Sequence, residues 1–241
     1  MRVSFAFGLG DNNKVLEVPV DFRRHLISFI KRILSDTPFF SRFKTDRPGF
    51  SPYVFGVSFA RLLEKNSCCF KIKPPVVMTF STGFYELLAG ACNGAILLKR
   101  EVSVLGLCLT HINLLPLLKI CKDKARFKLV GHTVFRGKNG YVGAGDPESI
   151  EEAINTHLQK KLSFFSQQYG NHNFEIFTKI RVVDASRLQK GVCYHYGGNL
   201  TTVRGEVILA GKPELLQFIY DFGLGVRNGQ GFGLVEVDNR S

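Results

Sequence analysis

Apolar positions recur along this chain in two periods, and switches between them set an order of elements. Val3, Phe5 and Phe7 alternate with Ser4 and Ala6, which predicts a strand over 3–7. A turn over 8–14 and a short extended lead over 15–20 follow. The period then changes: Phe22, Leu26, Phe29, Ile30 and Ile33 repeat at the roughly 3.6-residue spacing of a helix. That helix is expected from Asp21, read as its cap, to about Ser35. Arg24, His25, Ser28, Lys31 and Arg32 fall on one polar arc beside the apolar stripe. A loop is expected over 39–52 and strands over 53–61 and 67–73. Pro74-Pro75 is read as ending the second strand, with extended structure resuming over 76–80. A second helix, capped by Ser81 or Thr82, shows Phe84, Leu87, Leu88, Ala91 and Ala95 on one face. A strand over 97–109 completes this half.

After a connector over 114–123 the same order begins again. A strand is predicted over 126–135 and a glycine-rich hairpin and loop over 137–145. A helix from Asp146-Pro147 to about Phe165 turns Ile150, Ile154, Leu158, Leu162 and Phe165 inward. Next come a strand over 174–183 and a hairpin, 191–196 with 200–209, around Gly197-Gly198-Asn199. A helix from Pro213, a glycine-rich loop and a last strand close the chain. The halves share element order and negligible sequence identity. The fold class expected is α+β, two tandem βαββαβ units of ferredoxin-like (RRM-like) kind with a C-terminal glycine-rich loop, divided 1–118 and 119–241.

The loop holds five glycines between Gly223 and Gly233, with Arg227, Asn228 and Gln230 among them. Glycine permits positive φ and close approach to a ligand, and one cation with two amides suits a phosphate chain. A tight helix-to-strand connection with no ligand accounts for the same glycines. The order helix, glycines, strand argues against a dinucleotide fingerprint, which needs strand, glycines, helix. It also weakens the reading of a glycine-loop enzyme for small phosphorylated substrates.

Charge narrows the class of partner. Lys plus Arg number 32 against 20 Asp plus Glu, a net charge of +12. That favours a polyanion, nucleic acid before anionic membrane. Two stretches concentrate it: seven basic and two acidic residues from Arg23 to Arg47, and seven basic and one acidic from Lys119 to Lys138. They serve either as phosphate contacts or as solvated faces. Phe43, Phe50 and Tyr53 interleave with cations, as a base-stacking platform or as core. The six cysteines form no C-x-x-C pair and are read as buried, reduced thiols of a cytoplasmic protein. The N-terminus does not read as a signal peptide, and no apolar run reaches membrane-spanning length. His132, at a predicted strand end, either faces RNA or is simply hydrogen-bonded there. His157 is read as structural, and His111, His172 and His195 are scattered.

Gly225-x5-Gly231-Phe232-Gly233 followed by Leu-Val-Glu-Val, with Gly205-Glu206-Val207-Ile208-Leu209 and Gly211-Lys212-Pro213-Glu214 before it, resembles the C-terminal signature of the CRISPR repeat-RNA endoribonucleases of the Cas-six type, in the RAMP superfamily. The resemblance implies metal-independent cleavage without a cofactor, a ribose 2′-hydroxyl attacking the adjacent phosphorus to leave a 2′,3′-cyclic phosphate. It implies repeat RNA and crRNA as partners, other CRISPR effector subunits beside them, and allows a homodimer. The family commonly uses a His in the loop after the first helix, a Tyr or Arg on that helix and a Lys nearby. Here the loop over 36–52 has no histidine. The matching positions fall near Lys44 and near Lys31 with Arg32, and His25 is the imidazole close by. His25, Lys31, Arg32 and Lys44 are therefore the catalytic candidates. Arg24, Arg47, Lys128, Arg136, Lys138, Gly225, Arg227, Asn228, Gln230 and Gly231 are the RNA-binding ones. The missing histidine leaves two expectations, an unusual active site or an RNA-binding member without catalysis.

Overall fold

A computed structural model describes residues 1–9, 14–37, 49–66, 68–99, 101–169 and 178–237. The chain folds as α+β around two antiparallel sheets. Strands β1 (Arg2–Gly8), β2 (Leu16–Pro19), β3 (Val54–Lys65), β4 (Cys69–Ser81), β5 (Ser103–Val104) and β6 (Leu107–Leu114) form the first. Its order is β2-β4-β1-β6-β5, with β3 along the other edge of β4. Helices α1 (Arg23–Leu34) and α2 (Tyr85–Leu97) belong to this half. Val3, Phe5 and Phe7 alternate inward as the sequence predicts, and Phe29 of α1 meets Phe5 and Phe7 edge-on at 5.6 and 5.1 Å.

The second sheet contains β7 (Lys124–Thr133), β10 (Arg181–Asp184), β11 (Leu188–His195), β12 (Gly198–Ala210) and β13 (Val235–Val237). Its order is β10-β12-β7-β13, with β11 also on β12. Strands β8 (Phe135–Gly137) and β9 (Gly140–Val142) make a small separate hairpin. Helices α3 (Pro147–Tyr169) and α4 (Pro213–Phe222) supply the core; all five predicted inward residues of α3 are buried. In each half the first strand lies between the third and last long strands, an arrangement consistent with tandem ferredoxin-like units.

Five local expectations are corrected. Strand β4 runs through Pro74-Pro75 without a break. The prolines sit where one flanking partner changes from β2 (Leu16↔Ile72) to β1 (Phe7↔Val76), so their missing N–H groups interrupt no continuous ladder. The apolar run over 97–109 is the end of α2 followed by a tight β5–β6 hairpin, turned by Leu105 and Gly106 at φ 56° and 76°. The second hairpin turns at Tyr196 and Gly197, one residue earlier than expected. The strand expected over 174–183 is formed at Arg181–Asp184, with 174–177 outside the described residues. Asp21 does not cap α1, whose first residue follows Phe22 with no side-chain cap.

The cysteines also differ from expectation: Cys193 is buried, whereas Cys68, Cys108 and Cys121 are exposed. Tyr53 stacks on Phe80 at 5.0 Å, and its burial pushes the phenol up to about 12. Phe50 packs on His157 and Phe164. Both aromatics are therefore packing residues, and Phe43 lies outside the described residues. Among the described residues no helix is long and apolar enough to cross a membrane.

Polar ties join the halves. The Arg2 guanidinium donates to the carbonyls of Tyr220 (2.7 Å) and Val235 (2.6 Å) and lies 3.5 Å over the Tyr220 ring. The N-terminal amine reaches Asp221 at 2.6 Å. This brings α1, β3 and β7 together with the glycine loop.

Candidate nucleic-acid interface

The glycine loop is held tightly from inside. Gly223, Gly225, Gly231 and Gly233 are buried with φ between 73° and 85°. A Cβ on Gly231 would come within 2.9 Å of the Phe55 ring, and one on Gly225 would run into the Val134 carbonyl. Those glycines permit close packing of the chain on itself, which is the connection reading rather than the ligand-cradle reading. Asn228, expected to contact RNA, is buried and fully used. Its amide nitrogen donates to Leu224 and Phe232 carbonyls at 3.3 and 3.2 Å, and its oxygen accepts from Lys161 Nζ at 2.9 Å. Lys161 also donates to the Phe222 carbonyl at 2.5 Å, and burial lowers its amine to about 7. Asn228, buried with both amide hydrogens committed to the loop, has no donor left for a ligand.

What the loop presents outward is Arg227 and Gln230. Arg227 sits at φ 61° and donates to Gln230 Oε1 (2.9 Å) and the Tyr141 hydroxyl (3.1 Å). Both side chains remain partly exposed.

The start of α1 packs beside the loop. Arg23 is buried, its guanidinium between the rings of Phe22 and Phe232, with Nε donating to the Gly231 carbonyl at 3.2 Å and Nη1 to Cys193 Sγ at 3.2 Å. Burial lowers its pKa, opposed by Cys193 and Asp21. Asp21 faces the tip of the β11–β12 hairpin, with Arg24 Nε of its own helix 3.9 Å away. It meets His195 Nδ1 at 2.9 Å and accepts from the Tyr196 N–H at 3.1 Å. Arg24 is exposed and lies 5.4 Å over the Tyr196 ring.

A second cationic group lies where β3, β7 and β12 approach. His132 Nδ1 is 2.8 Å from the Thr202 hydroxyl. Burial first, then the charges of Arg23, Arg204 and Lys65, lower the imidazole to about 4. Lys65 and Arg204 are exposed. Sequence reasoning passed over Arg23, Asp21, His195, Lys65 and Arg204, because nothing local marks an arginine inside an apolar stripe or cations brought together from distant strands.

The predicted residues are only partly gathered. His25, Lys31 and Arg32 lie on the exposed side of α1, with Arg32 3.6 Å from Glu101. Lys44 and Arg47 lie outside the described residues. Lys128 sits in register between Glu206 and Glu236, and Lys138 pairs with Glu152 at 2.7 Å, so both charges are locally opposed. Arg136 is exposed on β8. The structure thus groups Arg24, Arg227, Gln230 and Gly231 beside residues not foreseen. The arrangement suits a polyanion: fixed donors and cations at a junction, with a neutral imidazole among them.

Residues 131–237 match the family model for CRISPR associated protein Cas6, C-terminal. No curated protein sequence matches the chain. Among solved structures, one described as the characterization of a Cas6-related gene from Pyrococcus furiosus aligns with a TM-score of 0.77 at 14% identity, covering 100% of this chain and 99% of that one. A second, described as a RAMP protein binding different RNA substrates, aligns at 0.76 and 15% identity over 99% of this chain and 100% of that one. A third, described as CRISPR associated protein Cas6, aligns at 0.69 and 15% identity over 99% of each chain. At such identities the structural likeness speaks to the fold.

Proposed function

We propose that this chain, whose residues 131–237 match the Cas6 C-terminal family model, is a Cas6-family protein that binds CRISPR repeat RNA along the cationic junction of its two halves, 1–118 and 119–241, and cuts it as an endoribonuclease. Each half is read as a ferredoxin-like unit, the second ending in the glycine-rich loop. The observation that carries the proposal is the meeting of Arg23, Arg24, Lys65, Arg204 and Arg227 from four separate segments around the loop and the start of α1. Arg24, Arg227 and Gln230 contact the ribose-phosphate chain. Gly225, Asn228 and Gly231 act indirectly, by holding the loop in shape. Lys31 and Arg32 extend the positive face along α1.

The reaction is 2′-hydroxyl attack on the adjacent phosphorus, giving a 2′,3′-cyclic phosphate and a 5′-hydroxyl. It needs a group to take the 2′ proton and cations to hold charge on the pentacoordinate phosphorus. Incubation with the repeat RNA encoded beside its own gene, in EDTA, is expected to give one cut at a fixed site with those ends. Absence of any gel shift with that RNA would reject the whole reading. A second reading, RNA retention without cleavage, draws on His25, which is exposed and has no side-chain partner to orient it among the described residues. A saturating gel shift with intact repeat would favour it.

A further inference from the structure

His132 occupies a built position. Thr133 pairs with Val203 and Leu129 with Gly205, so three residues of β7, Val130, Gly131 and His132, face Arg204 alone on β12. That is a β-bulge, and Gly131 takes the positive φ of 76° within it. Bulges re-aim side chains and recur beside active sites. The re-aimed imidazole sits against Gly191 of β11. A Cβ there would stand 3.3 Å from the ring and 2.8 Å from the Thr202 hydroxyl, so glycine makes the room. Thr202 itself is buried and fixes Nδ1. Nε2 has no protein partner among the described residues. The glycine-loop return is tied to the same point, the Gly233 N–H donating to the His132 carbonyl at 3.0 Å.

We propose that His132 is the base that takes the 2′-hydroxyl proton, with Lys65 and Arg204 holding the phosphate charge and Arg23 adding to it from behind. The proposal rests on the endoribonuclease reading and supplies the base which the α1 loop lacks. With Nδ1–H donating to Thr202, the Nε2 lone pair accepts the proton as the 2′-oxygen bonds to phosphorus. The bond from phosphorus to the 5′-oxygen breaks, that oxygen takes a proton from water, and the imidazolium returns its own to solvent. The charged groups facing His132 are Arg23 on α1, Lys65 on β3 and Arg204 on β12. Burial first, and then all three charges, keep the free imidazole neutral. A phosphodiester between them offsets their charge, so bound RNA raises the basicity of the ring.

The test uses the full-length protein and its repeat RNA, with binding and single-turnover cleavage measured separately across pH. His132→Gln is expected to keep its thermal midpoint and to bind RNA within about 3-fold of wild type. Its cleavage is expected to fall by about 100-fold or more, the usual span for losing a general base. The wild-type acid limb should lie at higher pH in kcat than in kcat/KM, because only the former reports the RNA-bound state. Added imidazole should partly restore cleavage to His132→Gly and not to wild type. Cleavage by His132→Gln at the wild-type rate overturns the proposal, as does loss that imidazole leaves unrescued. Intact RNA in a saturated wild-type complex overturns it too, while leaving RNA binding in place. No wild-type binding removes both readings.

Discussion

Lys161 is a buried amine with no acidic partner among the described residues, held by the Phe222 carbonyl and Asn228 Oδ1 among three phenylalanine rings. Burial lowers its pKa from 10.5 to about 7. In the unfolded chain the amine returns to its usual value, so the folded protein binds fewer protons between those limits. Stability therefore rises with pH through that window, and the handicap is complete below its lower end. Wild-type protein is expected to melt higher at pH 9 than at pH 6.5, with Lys161→Met flattening the slope. The substitution also leaves the two acceptors unsatisfied, at a cost of about 1–3 kcal/mol each. Equal pH slopes in the two proteins, followed by calorimetry, would contradict this account. Through Asn228 the same amine shapes the loop that presents Arg227 and Gln230.

At the scale of elements, the Asp21 carboxylate ties the start of α1 to the tip of the β11–β12 hairpin, beside the Arg23–Cys193 hydrogen bond. Asp21 reaches His195 and the Tyr196 N–H across the junction. On the hairpin's inner face, Cys193 and Leu200 pack with Val134 and Phe232. His195 is buried, and burial lowers its pKa against the opposing pull of Asp21. Removing the carboxylate strands an imidazole and an amide at the hairpin tip. Asp21→Ala is expected to cost about 2 kcal/mol, the scale of an unsatisfied buried partner. Hydrogen exchange should accelerate at Tyr196 first and at β7 last; uniform acceleration would show that Asp21 serves the whole fold instead.

For the whole molecule, Arg2 is a polar tie between halves that also pack through apolar contacts, Phe84 meeting Phe165 and Phe222 at 5.7 and 5.2 Å. Its charge is buried, spanning carbonyls of α4 and β13, and burial lowers its pKa with Tyr220 and Asp221 opposing. Arg2→Met keeps most of the volume and removes both donors. We expect about 2–4 kcal/mol of destabilisation and a broadened or two-step melt, since the Val235 and Tyr220 carbonyls lose the Arg2 donor, Tyr220 keeping only the Ser81 hydroxyl at 3.4 Å, while each half retains its own core. A single sharp transition at the wild-type midpoint would show that the Met1 amine on Asp221 and the Ser81 hydroxyl, which donates to the Asp221 carbonyl at 2.9 Å, suffice.

The sequence alone determined the elements whose burial is periodic. The stripes of α1 and α3 and the alternation of β1 are legible from spacing alone, because one face against a core, whichever residues supply it, is all they require. The C-terminal glycine pattern was legible for the same reason, since positive φ leaves glycine little competition. Tertiary structure decided what each charge does. Asp21 had the look of a helix cap, Asn228 of a ligand contact, and Arg23 of a misplaced cation. Each instead answers a partner more than 60 residues away. His132 gained its setting only when a bulge, a glycine on one strand and a threonine on another met around it. Hydrophobic burial is a property of spacing along a chain, whereas polar side chains are assigned by who stands opposite, and that is fixed only after the sheets have closed.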